Sequence, residues 1–193
     1  MISIIVSVIL IAVTVIIDQI TKYWMVDVFN MGEYLGLAYN EISKAAAGLD
    51  SIDVIPGVFK FTFLLNDGAA LGSMDNMRWL FMSASTITII AVLVYMFWKK
   101  PQNKLFLASL ILITGGGIGN MIDRIFLGYV IDFIDFCAFP SIWMYIFNFA
   151  DACVCVGAGL LMLYTILSAI EEAKAEKALK AVNSEKESTE DGE

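Results

Sequence analysis

Four apolar runs dictate what this chain can become. Each is close to the roughly 20 residues that carry a helix across the hydrocarbon of a bilayer. They lie at about Ile2–Trp24, Trp79–Trp98, Leu105–Ile122 and Ile146–Ile170. In hydrocarbon an unpaired backbone amide finds no water, so such runs take up helix. With 59% hydrophobic residues and a mean hydropathy of +0.77, too little polar chain remains to cover a soluble core. The expectation is a mainly α, polytopic membrane protein with four transmembrane helices. Trp79 and Trp98 bracket the second run, as interfacial rings do. The first run has no basic stretch before it and passes into "DQITKYW" rather than a small-residue cleavage site, which predicts a retained helix instead of a signal peptide.

Short-loop lysines set the expected orientation. Lys99, Lys100 and Lys104 crowd the turn between the second and third runs, which predicts that this turn and both termini are cytoplasmic. The connections from Asp18 to Arg78 and from Asp123 to Tyr145 then face outward. The first holds Val58–Leu65, aromatic and β-branched, flanked by Pro56-Gly57 and Asn66-Asp67-Gly68. That pattern predicts a strand or hairpin on the membrane surface. In "DFIDFCAF", Phe133, Asp135 and Cys137 alternate with Ile134, Phe136 and Ala138, which suggests a further short strand. Residues 25–78 are therefore read as outer loop and β-cradle, with "EISKAAAGL" as a helical turn. Residues 1–170 form one membrane domain. Residues 171–193 form a charged tail, helical at first and disordered in "NSEKESTEDGE".

Several classes of function fall away. The net charge of −8 argues against nucleic acid. There is no histidine, and Cys137, Cys153 and Cys155 offer too few ligands for zinc, so no metal or other cofactor is expected.

What remains is a set of polar residues where spans meet the outer face. Asp18 and Lys22 are four apart on one helix face. They either form an interfacial pair that ends the span, or Lys22 reaches toward a lipid headgroup or neighbouring loop. Asn66, with Gly68 beyond it, marks either a plain turn or an amide at the mouth of a cleft. Gly115 and Gly119 have the small-xxx-small spacing that admits a second helix backbone. Asn120, Asp123 and Arg124 follow as a structural polar network. Asn148 and Asp151 share a face of the fourth run, and carboxylates at membrane depth are candidate functional groups. Asp132 and Asp151 come from different segments near the same surface. Two close carboxylates share a proton, so one can act as a base on water while the other polarises a carbonyl. The same acids, with Asp123, also suit a proton-coupled carrier. A carrier favours more spans, broken helices and usually a repeat, and none is visible. An inert assembly subunit would leave the acids without purpose. Asp135 is read as a solvent-facing acid without a role.

The motifs "DQITK", "NDGAALG", "GGGIGNMIDRIFLGYVIDFIDF" and "FNFAD", in this order, resemble those of lipoprotein signal peptidase, or signal peptidase II, over about Val13–Leu163. The resemblance implies a bacterial inner-membrane aspartic endopeptidase with four transmembrane helices and a small extracytoplasmic β-cradle. It implies release of signal peptides from diacylglyceryl-modified prolipoproteins, cleavage before the lipidated cysteine, contact with membrane lipids and inhibition by cyclic peptides. A monomer is expected. The family's catalytic aspartates fall on Asp132 and Asp151, and its supporting residues on Asp18, Lys22, Asn66, Asn120, Asp123, Arg124 and Asn148. Asp67 and Leu71 depart from the family's small polar residue and phenylalanine. The stretch Met31–Ile52 is longer than usual, and the acidic tail is an extension.

Overall fold

The computed structural model describes residues 2–67, 77–139 and 145–190. Gly68 and Leu71, with the rest of the "GAALG" stretch, lie outside them. Four long helices form the frame: α1 (Ile2–Val28), α3 (Met77–Lys99), α4 (Lys104–Phe126) and α5 (Phe149–Glu190). All four are long and apolar enough to cross a membrane. Large apolar side chains such as Ile5, Ile9, Ile20, Ile87, Ile90, Met162 and Ile166 point outward from them, as lipid-facing surfaces require. The chain is a polytopic helical membrane protein. Between α1 and α3 lie a short 3-10 turn (Gly32–Tyr34), helix α2 (Tyr39–Ala46) and strands β1 (Ile52–Ile55) and β2 (Phe59–Asn66). Between α4 and α5 lie β3 (Val130–Phe136) and β4 (Ile146–Phe147).

Helix α4 is the hub, packing against α1, α3 and α5. Glycines make this possible. A Cβ on Gly115 would stand 2.7 Å from the Thr14 side chain of α1, and one on Gly116 would collide with the backbone carbonyl of Ala150 in α5. Gly119 lies directly against the Asp18 carboxylate. The expected Gly115–Gly119 seam thus seats α1, while Gly116 beside it admits α5. Asn103 caps α4, accepting from the Phe106 amide at 3.1 Å. At its far end Gly128 takes φ 89°, and the Leu127 and Gly128 amides both donate to the Asp123 carbonyl.

The strands form one antiparallel sheet in the order β1-β2-β3-β4. Pro56 and Gly57 occupy the two central positions of the β1–β2 turn. The Val58 amide returns to the Ile55 carbonyl at 2.9 Å, and Gly57 takes φ 74°, the demand of a type II turn. One sheet face buries Phe63, Leu65, Ile131 and Phe133 against Met25, Val26, Phe29, Met31 and Ile42. The long stretch after Met31 therefore closes a core beneath the sheet, with α2 contributing the fully buried Ile42.

Two boundaries differ from expectation. The fourth span does not begin at Ile146: Ile146 and Phe147 pair with Asp135 and Ile134 as a strand, and the helix starts at Phe149 because Asn148 caps it. The tail remains helical to Glu190, where the sequence reading has coil from about Asn183. Alanine, glutamate and lysine are strong helix formers, and a long helix already runs into them.

Candidate active site

The polar residues converge where α1, α4, β3 and α5 meet. The first turn of α5 builds half of the site. Asn148 is its cap: its Oδ1 accepts from the Asp151 amide at 2.9 Å, and the Asp151 carboxylate accepts from the Asn148 amide at 3.2 Å. This reciprocal arrangement is a capping box, and it fixes Asp151. The Ala150 amide, an orphan donor of the same turn, is satisfied by Asp18 of α1 at 3.0 Å.

Strand β3 supplies Asp132, only 1% exposed. Asn148 Nδ2 donates to it at 2.7 Å and Asn66 Nδ2 at 3.0 Å. Asn66 reaches Asp132 through an irregularity in β2. Directly opposed residues of an antiparallel pair point the same way. Phe61 opposes Ile134, so regular pairing would put Phe63 opposite Asp132. Instead Leu64 opposes Asp132 and Asn66 opposes Val130. One extra residue in β2, a bulge, turns Leu64 and Asn66 onto the face that carries Asp132.

Asn120 links the halves. Its Nδ2 donates to Asp151 at 2.7 Å, and its Oδ1 accepts from Asn148 at 3.0 Å and from Lys22 at 2.9 Å. Lys22 is 1% exposed and lies 2.9 Å from both Asp18 and Asp123. It turns into the bundle, so neither the span-ending surface pair nor the reach toward a headgroup describes it. A buried ammonium needs paired charge and filled hydrogen-bonding positions, and two carboxylates with one amide oxygen supply them. Asp123 also accepts from the Ile131 amide at 3.3 Å, which ties the end of α4 to the strand residue just before Asp132. Arg124 is half-buried and donates to the Asn120 carbonyl at 3.3 Å.

Burial, reinforced by the charge of Asp151, pushes Asp132 up to about 7. Hydrogen bonds from Asn66 and Asn148 and the charge of Lys22 pull the other way and are outweighed. A carboxyl so held carries a proton for much of the time at neutral pH, and its carboxylate neighbour can accept one from water.

Gln19 was not singled out from the sequence, although it lies inside "DQITK". Its Nε2 donates to Asp123 at 2.9 Å and to the Gly119 carbonyl at 3.2 Å. The available signal was a second polar residue beside Asp18 at membrane depth. Asp135 also differs from expectation. It pairs with Lys60 at 3.3 Å and accepts from Thr62 at 3.0 Å, because β2 brings both onto its side. Among the described residues no cluster of side chains could hold a metal ion.

The family profile described as Signal peptidase (SPase) II matches residues 10–167, a stretch that includes every one of these groups. The chain belongs to the signal peptidase II family. This peptidase is 41% identical over 128 residues to a lipoprotein signal peptidase of Desulfitobacterium hafniense, covering 66% of this chain and 82% of the relative. It is 36% identical over 165 residues to that of Symbiobacterium thermophilum, covering 83% and 94%. A bacterial membrane enzyme structure obtained by the in meso method at 2.3 Å superposes on it with a TM-score of 0.66 and 29% identity, covering 85% of this chain and 89% of that one. The peptidase and its structural neighbour share the four-helix frame with a small antiparallel sheet.

Proposed function

We propose that the protein removes signal peptides from diacylglyceryl-modified prolipoproteins, cutting just before the lipidated cysteine with Asp132 and Asp151 as an aspartic dyad. The observation that carries this is the joint tethering of the two carboxylates. Asn148 donates to Asp132 through its side chain and to Asp151 through its backbone, while burial and the charge of Asp151 keep Asp132 near 7.

In this reading protonated Asp132 donates to the scissile carbonyl and Asp151 takes a proton from water. The water oxygen adds to the carbonyl carbon, giving a tetrahedral diol. Asp151 then passes its proton to the amide nitrogen, and as the C–N bond breaks Asp132 takes back a proton from one of the diol hydroxyls. The signal peptide leaves with a new carboxyl group and the lipoprotein with a free cysteine amine. Asn66 and Asn148 hold Asp132, and Asn120 holds Asp151. Asp18, Lys22, Asp123 and Arg124 lock the helices that carry them. The signal helix and acyl chains reach the site through the bilayer, and their fixed depth aligns the scissile bond with the dyad. The lysine turn faces the cytoplasm with both termini, and the site lies at the extracytoplasmic face of a bacterial plasma membrane. The enzyme works as a monomer, and cyclic peptides that fill the cleft inhibit it.

The test is reconstitution of the purified protein with a lipidated prolipoprotein, read as a size shift on a gel. Wild type cleaves, and Asp132→Asn and Asp151→Asn each lose at least a thousandfold in rate, on the order expected when one half of an acid–base pair is removed. No cleavage by wild type defeats the proposal. Full activity in either variant defeats the dyad alone.

A further inference from the structure

The end of the bundle away from the dyad contains a second feature, independent of the peptidase reading. Helices α1 and α3 both lean on α4, and near their lysine-rich ends they leave a narrow cleft between them with room for about 20 Å³. Ile4, Val8 and Ile11 line one wall and Leu93, Met96 and Phe97 the other. Each set falls at helical spacing, so two apolar stripes face one another across open space. Hydrocarbon solvent fills such a space, because an empty one forfeits contact on every wall.

The mouth of the cleft narrows the choice of occupant. Lys100 lines it together with Pro101. Lys100 takes φ 47°, a left-handed backbone that a non-glycine residue adopts at a cost. Its amide closes on the Met96 carbonyl at 3.1 Å, so the chain turns sharply at the cleft. Lys99 and Lys104 lie on either side of Lys100 in the sequence, which has no acid between Asp75 and Asp123. Among the described residues no carboxylate pairs with Lys99, Lys100 or Lys104. Lys100, without a carboxylate partner among the described residues and with two further lysines near it in sequence, thus stands at the mouth of an apolar slot.

We infer that the cleft between α1 and α3 is a binding site for one anionic phospholipid, with an acyl chain lying along the cleft against Val8 and Phe97 and the phosphate on Lys100. The apolar walls favour any lipid tail, and the uncompensated lysines select a negative headgroup. Bound there, the lipid fills the gap that the two helices leave over α4.

Native mass spectrometry of the full-length protein, delipidated in detergent and titrated with dioleoyl phosphatidylglycerol or dioleoyl phosphatidylcholine, tests the site. One phosphatidylglycerol is retained at least fivefold more tightly than phosphatidylcholine. Lys100→Gln lowers that affinity roughly fivefold, the weight of one lysine near an anionic surface. Val8→Trp fills the slot and abolishes retention, while Ile5→Trp, on the outward side of α1, leaves it intact. Millimolar inorganic phosphate displaces nothing. Equal binding of the two lipids, retention by Val8→Trp, or displacement by free phosphate overturns the inference. Should Val8→Trp fail to fold, the lipid preference and the Lys100→Gln titration decide it.

Discussion

Asp132 is the residue whose chemistry depends most on its surroundings. Its carboxyl is pushed to about 7, and the mechanism needs it protonated, so kcat/KM falls as pH rises through about 7. Asn66 opposes that shift by hydrogen-bonding the ionised form. Asn66→Leu therefore moves the alkaline limb of the pH–rate profile upward while lowering the rate about tenfold through lost positioning; an unmoved limb would show that Asn66 does not control this proton. Lys22 makes a different prediction. Lys22→Met leaves Asp18 and Asp123 buried without their cation, at a cost of about 3–5 kcal/mol, read as a large fall in thermal unfolding temperature in detergent. Asp123→Asn reduces folded yield at least as much as turnover, and normal yield with abolished turnover would move Asp123 into the catalytic set. The acids themselves were legible in the sequence because charge at membrane depth stands out from its apolar surroundings. Their partners were less so. Lys22 stayed open between an interfacial pair and a reach toward a headgroup or loop because i,i+4 spacing says nothing of which way the pair faces, and Gln19 escaped because its partners, Asp123 and the Gly119 carbonyl, lie on another helix.

At the scale of elements, α4 is held by residues defined by what they lack. Gly116→Ala drives a methyl group into the Ala150 backbone, which cannot rotate away, and Gly119→Ala drives one into the Asp18 carboxylate. Both variants lose folded protein, judged by monodisperse yield on gel filtration. Gly159→Ala meets nothing within 4 Å and behaves as wild type. The four helices were readable because 20-residue apolar runs have one solution in a bilayer. The start of α5 was not, since Ile146 and Phe147 suit a strand and a buried helix equally. Only the asparagine cap and the pairing with β3 decide between them.

For the whole molecule, the proposed orientation places the lysine turn and the dyad on opposite sides of the membrane. A single cysteine at Lys104, in a background with Cys137, Cys153 and Cys155 replaced by alanine, is labelled by an impermeant maleimide only after the inner face of right-side-out vesicles is opened. Labelling in sealed vesicles would invert the topology and remove the site from the face where the substrate's lipidated end is expected. The lysine clustering that sets this orientation was plain in the sequence. The cleft beside it was not, because it arises from two helices leaning on a third.

The bulge in β2 gives the chain an uneven tolerance for changes in length. Between Met31 and Leu49 it accommodates a whole additional helix, since that segment packs beneath the sheet and leaves the strand register alone. Removing Thr62 is absorbed as well: it takes out the bulge and leaves Leu64 opposite Asp132 and Asn66 opposite Val130, so the asparagine keeps its place. A residue inserted between Leu64 and Asn66 has the opposite effect. With Leu64 held opposite Asp132, it turns Asn66 to the far side. Over these strands the site depends on where the length changes rather than on the total.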